Sequence, residues 1–348
     1  MELSKNTARQ MTVNQHEFIE KATGLVSTFH YGGKSRSEYV ELGDRHNGKN
    51  VLHLKYVDHV GYIAKPRSSF GENLLAEVES KVFSALGLDL QINHVIAKID
   101  TVSLFNFIAT SELHLVDIER YFYTTGVRGA LLFCLLATDI SYENVICTKD
   151  GPVVIDAETL FTPYSYDLHA NMPSYDLCID YCSLARTGFF TSNYLFSPIV
   201  NQRQLSKLAD SNVSSLHQEI SLFPICNKQT NSIARGFRDS LRIFRELLDK
   251  KFIDEMLISD KSGLCSLRIV LRPTYQYLAY LNGGAGYDIE FSLMELEQLK
   301  NGDIPYFTHE SLDSKICPKK VMDCVRKMTE FAERNPSIIY QQIQRQEI

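Results

Sequence analysis

Among the side chains with oxygen atoms in Ala137 to Pro163, ATDISYENVICTKDGPVVIDAETLFTP, four stand at a spacing that could do chemistry. Asp139 and Asn144 stand in the spacing D-x-x-x-x-N, and Asp156 comes twelve residues after Asn144, at the end of an apolar, β-prone run. Glu158 follows two residues later. Carboxylate and amide oxygens suit a hard cation, and a carboxylate can accept a proton. The spacing therefore indicates phosphate and metal chemistry. The alternative is a chance pattern at an ordinary strand-to-loop exit.

This order of groups is also the one with which protein kinases transfer phosphoryl groups. In kinases the first acid accepts the proton of the attacking hydroxyl, and the amide and the second acid each hold Mg²⁺. Phosphoryl transfer depends on positioning and charge neutralisation more than on a nucleophile of the protein. Asp139 is therefore the candidate catalytic base, and Asn144, Asp156 and Glu158 are the candidate metal ligands.

A glycine-containing hairpin earlier in the chain is a candidate phosphate cradle. Gly43 and Gly48 lie in a polar turn, and strands are predicted at Val51–Tyr56 and Gly61–Lys65. Backbone N–H groups of such a turn can cradle ATP phosphates, and a strand lysine such as Lys65 adds a point charge. The alternative is a plain surface hairpin with an exposed lysine.

The next predicted element is a helix from Gly71 to Leu86, with apolar residues on one face. A kinase helix at this place supplies a glutamate that pairs with the strand lysine. Glu77 is the predicted partner, and Glu72 and Glu79 compete with it. Each of the three also fits a solvated charge on a helix surface.

A second cationic segment lies in the C-terminal half of the chain. Residues 266–272 are β-prone, and a helix is predicted after Pro273-Thr274. Arg268 and Arg272 are four residues apart, so in an extended strand they share one face. Paired arginines suit bidentate binding of phosphate. The alternative is two arginines on a wet strand face or in structural ion pairs.

Several longer blocks resemble the dehydratase domain of class II (LanM-type) lanthipeptide synthetases. They are T-D-x-x-Y-E-N-V-I, P-V-x-I-D-x-E-T-L-F, G-D-x-H-x-G-K-x-V with K-P-R-S, R-x-x-x-R-P-T-x-x-Y, and G-D-I-P-Y-F. The resemblance covers roughly residues 40 to 348, with the blocks in the family's order. The family usually reads D-x-H-x-E-N, and this chain has Ser141 in place of that histidine.

The resemblance implies an ATP- and Mg²⁺-dependent enzyme that phosphorylates Ser or Thr of a ribosomal precursor peptide. The same enzyme would then eliminate the phosphate to give dehydroalanine or dehydrobutyrine. It implies that Lys65 contacts ATP and that Arg268 binds the leaving phosphate. Thr274 would hold the phosphate or help to deprotonate Cα. Arg67 would bind phosphate or peptide, although a surface arginine is the favoured interpretation, and Asp303 and Tyr306 would be structural.

The fold implied by the resemblance is α+β and bilobed, of the lipid- and protein-kinase-like type, with a small β-rich N-lobe and a larger, mainly helical C-lobe. The predicted domains are an N-terminal extension (1–40), the N-lobe (41–112), and the C-lobe with its phosphate-elimination elements (113–348). A hinge is expected at Ser111–Leu115. Nothing in the chain resembles the family's zinc-binding cyclase domain, so ring closure would need a separate cyclase.

The amino-acid composition narrows the classes of function and location that the chain could have. The chain has 348 residues, of which 44% are hydrophobic and 22% charged, and its net charge of -6 argues against nucleic acid as the main partner. No apolar run is long enough to span a bilayer and no signal core begins the chain, which predicts a cytoplasmic protein. Cys178 and Cys182 could be two metal ligands on one helix face, but without a second ligand pair reduced thiols are the favoured interpretation.

Two other function classes stay open from the sequence. One is a peptide or protein Ser/Thr kinase that stops at the phosphorylated product, against which the presence of both Arg268 and Thr274 argues. The other is a catalytically dead, kinase-like binding module, which Ser141 favours. The substrate peptide and the oligomeric state do not follow from the sequence.

Overall fold

The computed structural model describes residues 2–28, 38–46, 49–55, 61–110, 118–140, 142–161, 184–190, 227–271, 274–283, 291–312 and 316–345. In these ranges the chain is α+β, with a small antiparallel sheet near the N-terminus and helices through the C-terminal half. This confirms the predicted α+β class. The expected hinge at Ser111–Leu115, together with Cys178 and Cys182, lies outside the described residues.

The N-terminal sheet has five antiparallel strands in the order β1-β2-β3-β5-β4. They are β1 (Glu38–His46), β2 (Lys49–Lys55), β3 (Gly61–Lys65), β4 (Val95–Ile99) and β5 (Val102–Asn106). Strand β3 is central, and Lys65 at its end is paired with Ser103 of β5. The strand predicted at Gly61–Lys65 is therefore confirmed, and the strand predicted at Val51–Tyr56 is confirmed as far as Lys55.

A helix covers one face of this sheet. Helix α1 (Glu2–Ser27) buries Phe18, Ala22 and Val26, which recur every four residues and so lie on one helix face. They pack against strand residues that include Leu52 and Leu54, whose alternate spacing directs them to the same side of the sheet. The predicted extension 1–40 thus contains a helix that shares the apolar core of the sheet.

The larger core lies between the next helices. Helix α2 (Phe70–Ala85) contributes Leu74, Leu75, Val78 and Val82 to a cluster that it shares with α3 (Ile118–Cys134) and α4 (Asn227–Asp249). The helix predicted over Gly71–Leu86 is confirmed. From Val127 to Cys134 every residue of α3 is buried, as expected for a helix segment that is apolar on every side apart from Arg128.

A buried ion pair joins α2 to α3. Nε of Arg128 donates to Oε1 of Glu79 over 2.8 Å, and only 1% and 4% of these side chains are exposed. The Arg128 guanidinium also lies over the ring of Phe83, 4.9 Å from its centre. Because the pair holds one face of α2 against α3, it fixes how α2 is rotated about its axis.

The remaining described residues form short elements and two C-terminal helices. Single 3-10 turns occur at Tyr142–Asn144 and Leu184–Thr187, and the remaining elements are β6 (Val145–Thr148), β7 (Gly151–Val154), α5 (Phe252–Ser259), α6 (Lys261–Cys265), β8 (Arg268–Ile269), α7 (Thr274–Leu281), α8 (Leu293–Lys300), β9 (Phe307–Thr308), α9 (Pro318–Arg334) and α10 (Pro336–Arg345). Strands β6 and β7 form an antiparallel hairpin, and β8 pairs with β9. The predicted change from strand to helix near Pro273-Thr274 is confirmed by β8 and α7.

None of the helices described is both long and apolar enough to cross a membrane.

Candidate active site

Lys65 is a buried cation at the meeting point of three segments. Its Nζ donates to Oε1 of Glu72 on α2 over 3.0 Å and to the carbonyl of Ile155 over 2.6 Å. The same Nζ lies 3.3 Å from Oδ2 of Asp156. The side chain is only 6% exposed, so the interpretation of Lys65 as an exposed surface lysine is wrong.

Glu72, and not Glu77, is the helix partner of Lys65. Glu72 is buried in the first turn of α2, whereas Glu77 is exposed on the opposite face, so the prediction for Glu77 is wrong. The physical reason is helix geometry. Glu72 and Glu79 are seven residues apart, close to two full turns, and both lie beside the apolar face of α2. Burial raises the pKa of Glu72, but the charges of Arg67 and Lys65 outweigh it and hold that pKa below its usual value.

Arg67 lies at the centre of an ion-pair cluster that also contains Lys65, Glu72, Asp156 and Glu158. It contacts the three carboxylates of this cluster. Its Nη2 is 2.8 Å from Oε1 of Glu72 and 2.6 Å from Oδ1 of Asp156, and its Nε is 2.8 Å from Oε2 of Glu158. Only 13% of the side chain is exposed, so the favoured interpretation as a surface arginine is wrong. No periodicity in the sequence indicated this burial, because Arg67 follows β3 in a bend and not in a strand.

Asp156 and Glu158 follow β7 and complete the acidic side of the cluster. Burial raises the pKa of Asp156, but Arg67 and Lys65 outweigh it and hold that pKa well below its usual range. Glu158 receives Nη1 of Arg268 at Oε1 over 2.8 Å. The segment between the two acids packs against Gly71 of α2 so closely that a Cβ at Gly71 would overlap the carbonyl of Ala157.

Asp139 and Asn144 form a second part of the site. Asp139 has a φ of 56°, in the left-handed region that few residues other than glycine adopt. The Nδ2 of Asn144 donates to the Asp139 carbonyl, and the Asn144 carbonyl accepts the N–H of Ile155 over 2.9 Å. Burial raises the pKa of the Asp139 carboxyl from 3.8 to about 6, although the charge of Arg268 acts in the other direction. Ser141 lies outside the described residues.

Arg268 joins the C-terminal part of the chain to this cluster. Its main-chain N–H donates to the Glu158 carbonyl over 2.8 Å, besides the contact of its guanidinium with the same residue. Burial lowers the pKa of Arg268, but Glu158 and Asp139 outweigh it and raise that pKa above its usual value. The Nε of Arg268 is buried without a hydrogen-bond partner in the part of the chain that the structure describes. A buried donor of this kind is what an anionic ligand would satisfy.

The remaining predicted site residues are placed only in part. Thr274 begins α7, but its side chain, like all of Arg272, lies outside the described residues. Gly48 is also outside them, and Gly43 is an exposed strand residue with a φ of 67°. Among the described residues no group lies within 4 Å of a Cβ built on Gly43, and the Gly43 carbonyl accepts a hydrogen bond from Nδ2 of Asn50 over 3.3 Å.

Tyr306 belongs to the cluster, although the sequence indicated only a structural role. Its hydroxyl donates to Oε2 of Glu158 over 3.2 Å, and its ring lies beneath the guanidinium of Arg268, 5.4 Å from the ring centre. Nothing in the spacing of G-D-I-P-Y-F predicts this contact, because it joins residues that are 148 positions apart.

The donor types of the cluster fit a hard cation such as Mg²⁺. The carboxylates of Asp156 and Glu158 both contact Arg67, while the amide of Asn144 donates to the Asp139 carbonyl. Carboxylate and amide oxygens are the ligands that Mg²⁺ prefers. Across the described ranges, however, no three Asp, Glu, His or Cys side chains converge as a metal cluster. Asp156 instead contacts Lys65 through Oδ2 and Arg67 through Oδ1, so a metal cation at Asp156 would compete with these two charged side chains.

Comparison with known proteins identifies a family whose sequence model matches this chain. The sequence model of a family described as a domain of unknown function, DUF4135, matches residues 5–220, which is more than half of the chain. The matched segment contains Lys65, Glu72, Asp139 and Asp156, and it ends before Arg268. No curated protein matches the chain.

Proposed function

The chain belongs to the DUF4135 family, and we propose that this member has a kinase-like fold and dehydrates peptides in two steps. First, it transfers the γ-phosphoryl group of ATP to a Ser or Thr hydroxyl of a precursor peptide. Second, it eliminates the phosphate and leaves dehydroalanine or dehydrobutyrine. The observation that carries the proposal is the contact of buried Lys65 with both Glu72 and Asp156.

That contact joins the three groups on which a kinase site depends. A lysine on a central strand pairs with a glutamate on the following helix, and both lie beside an aspartate that follows a β-hairpin. In kinases the lysine grips the phosphates of ATP, the glutamate orients the lysine, and the aspartate binds Mg²⁺. The arrangement supports the same roles for Lys65, Glu72 and Asp156.

In the phosphoryl step Asp139 accepts the proton of the attacking hydroxyl. The hydroxyl oxygen forms a bond to the γ-phosphorus, and the bond from that phosphorus to the bridging oxygen of ADP breaks. A pKa of about 6 supports this role, since a base works best when its pKa is near the operating pH. Mg²⁺, when held by Asn144, Asp156 and Glu158, neutralises charge on the phosphates.

In the elimination step a base removes the Cα proton of the phosphorylated residue. The electron pair of that C–H bond becomes the second bond between Cα and Cβ, the Cβ–O bond breaks, and phosphate leaves with its electron pair. Arg268 binds the leaving phosphate, and Thr274 holds the phosphate or helps to deprotonate Cα. The contact between Arg268 and Glu158 supports one shared site for both steps. A separate cyclase would close any thioether ring.

A non-catalytic binding module is the second candidate, and one observation favours it. The carboxylates of Asp156 and Glu158 are already neutralised by Lys65, Arg67 and Arg268. Such a module would bind a peptide or a partner protein without turning over ATP. A kinase without elimination would instead release a stable phosphopeptide.

Mass spectrometry of a Ser/Thr-containing precursor peptide tests these alternatives. The peptide is incubated with ATP, Mg²⁺ and either the unmutated protein or one of two variants, Lys65→Met and Arg268→Ala. We expect loss of water with the unmutated protein, phosphopeptide with Arg268→Ala, and unchanged peptide with Lys65→Met. Phosphopeptide alone from the unmutated protein would leave a kinase, and no mass change together with no ATP binding would leave the binding module.

Two matched controls separate these roles from a general loss of charge. Lys21 forms ion pairs with Glu17 and Asp100 at the protein surface, so Lys21→Met is the control for Lys65→Met. Arg326 pairs with Asp254 over 2.7 Å and is 38% exposed, so Arg326→Ala is the control for Arg268→Ala. Both controls are expected to dehydrate the peptide as the unmutated protein does.

A further inference from the structure

Tyr306 lies where the C-terminal strand pair meets the ion-pair cluster. In the antiparallel register of β8 and β9, Arg268 is opposite Thr308. Alternate residues of a strand share a face, so the chain that enters β9 carries Tyr306 on the same side as Thr308 and Arg268. The pairing of β8 with β9 thus places the aromatic side chain of Tyr306 beside the guanidinium of Arg268. The proposed function assigns this guanidinium to the binding of the leaving phosphate.

The side chain of Tyr306 closes a triangle with Arg268 and Glu158. Its hydroxyl donates to Oε2 of Glu158, while Nη1 of Arg268 donates to Oε1 of the same carboxylate. Its ring supports the guanidinium from below, in the geometry of a cation–π contact. Burial and the charge of Glu158 both raise the pKa of Tyr306 well above its usual value, so the hydroxyl keeps its proton and remains a donor.

The main chain at Tyr306 is fixed by a side chain from α8. Oε1 of Gln298 accepts the N–H of Tyr306 over 2.8 Å, and Nε2 of Gln298 donates to the Tyr306 carbonyl over 3.4 Å. The carboxamide of Gln298 thus forms hydrogen bonds with both main-chain groups of Tyr306, as a neighbouring strand would. Helix α8 also carries Glu295, which accepts a hydrogen bond from Tyr277 of α7 over 2.8 Å. Helix α8 therefore holds both Tyr306 and the helix that begins at Thr274.

We propose that Tyr306 is a positioning residue for phosphate elimination, which holds the guanidinium of Arg268 against Glu158 and turned towards the phosphate of the phosphorylated peptide. The inference rests on the proposed function. Tyr306 takes no part in the bond changes of the elimination. It acts through Arg268, whose buried Nε has no hydrogen-bond partner in the described structure.

Three variants separate the hydroxyl from the ring. Tyr306→Phe removes the hydrogen bond to Glu158 and keeps the ring, and Tyr306→Leu removes both. Tyr340→Phe is the matched control, because the Tyr340 hydroxyl also donates one side-chain hydrogen bond, over 3.0 Å to Asn231, at a place that joins α10 to α4. Thermal unfolding of each variant shows whether it is folded.

The activity measurement compares the two steps within each variant. Phosphorylation is followed on the precursor peptide with ATP and Mg²⁺, and elimination is followed on a chemically phosphorylated precursor peptide with ADP and Mg²⁺. We expect Tyr306→Phe to lower the rate of elimination about tenfold more than the rate of phosphorylation, since a hydrogen bond to a charged group is worth that factor or more. Tyr306→Leu should widen the difference, and Tyr340→Phe should show none. Equal loss of both steps, or no loss in Tyr306→Leu, would overturn the inference.

A binding measurement keeps this test separate from the test of the proposed function. Affinity for a synthetic phosphoserine peptide is measured by calorimetry for the unmutated protein and each variant. If the unmutated protein neither phosphorylates nor dehydrates the precursor, the proposed function has failed and the binding result decides alone. Weaker binding by Tyr306→Leu than by Tyr340→Phe would then support the positioning of Arg268. Equal binding by all variants, or no binding by the unmutated protein, would refute it.

Discussion

The side-chain amide of Asn144 donates a hydrogen bond to the main-chain carbonyl of Asp139, with 2.6 Å between Nδ2 and the oxygen. The bond spans the turn at the residue whose backbone is in the left-handed region. A φ of this kind costs free energy and persists only when surrounding contacts fix it. The spacing D-x-x-x-x-N therefore has a structural role, in addition to any role of the amide as a metal ligand.

Replacing Asn144 should loosen this loop. We expect Asn144→Ala to lower the free energy of unfolding by about 1–2 kcal/mol, the cost of leaving a buried carbonyl unpaired. Urea denaturation measures this. Asn335→Ala is the control, because Nδ2 of Asn335 also donates to a carbonyl, that of Phe331 over 2.8 Å, away from the site. Only Asn144→Ala should also reduce phosphorylation, and an equal loss of activity in both variants would contradict the role in the site.

Glu72 and Glu77 of α2 should differ sharply in their effect on stability when each is replaced by glutamine. Glu72 neutralises Lys65 and Arg67, so Glu72→Gln should lower the free energy of unfolding by on the order of 3 kcal/mol, as when one partner of a buried ion pair is removed. Glu77 is exposed, so Glu77→Gln should stay within about 0.5 kcal/mol of the unmutated protein. Urea denaturation at pH 7 compares the two. Equal effects would mean that Glu72 does not carry the ion pair.

Asp139 should make stability depend on pH. Its folded-state pKa is raised from 3.8 to about 6, so the ionised carboxylate destabilises the folded state. Stability from this group is fully present below pH 3.8 and is lost as the pH rises through 6. We expect Asp139→Asn to be more stable than the unmutated protein at pH 8 by up to about 3 kcal/mol, and this difference to vanish near pH 4.

Denaturation without ATP or Mg²⁺, repeated at several pH values, measures the effect of Asp139→Asn. Asp249 is exposed at the end of α4, so Asp249→Asn is the control and should stay within about 0.5 kcal/mol throughout. A variant Asp139→Asn that is less stable than the unmutated protein at pH 8 would show that the ionised carboxylate is favoured in the folded state.

The close approach of α2 to the acidic segment can be tested at Gly71. A Cβ at this position would overlap the carbonyl of Ala157, so Gly71→Ala should destabilise the protein by about 1–3 kcal/mol, as overpacking does, and weaken ATP binding. Gly24 on α1 has no other described group within 4 Å of a Cβ, so Gly24→Ala should stabilise the protein by up to about 1 kcal/mol. Thermal unfolding and ATP calorimetry compare the two. A neutral Gly71→Ala would show that α2 can move without loss.

The helices and strands of the N-terminal part could be predicted because local pattern determines them. Alternating apolar residues define β2 and β3, and apolar residues three and four apart define α2. The partner of Lys65 could also have been predicted from the sequence. Leu75, Val78 and Val82 define the buried face of α2, and a helical projection places Glu72 beside that face and Glu77 opposite it.

The contacts around Glu158 could not be predicted in the same way. Arg268 is 110 positions from Glu158 and Tyr306 is 148, and no local periodicity relates the three. Their meeting depends on the pairing of β8 with β9 and on the main-chain contact of Arg268 with Glu158. The burial of Arg67 likewise depends on tertiary packing, since a lone arginine after a strand is more often exposed.

The ion-pair cluster also has a consequence for the chain as it leaves the ribosome. Synthesis at about 5–20 residues per second delivers Lys65, Arg67 and Glu72 together, before any partner from the later segments exists. Asp156 is made 89 residues after Arg67, and Arg268 a further 110 residues after Glu158. Until Arg268 emerges, Arg67 is the cation of the cluster that meets Glu158. A ribosome that stalls in this interval would hold a chain with an incompletely neutralised site, which is the state that a chaperone for this protein would meet.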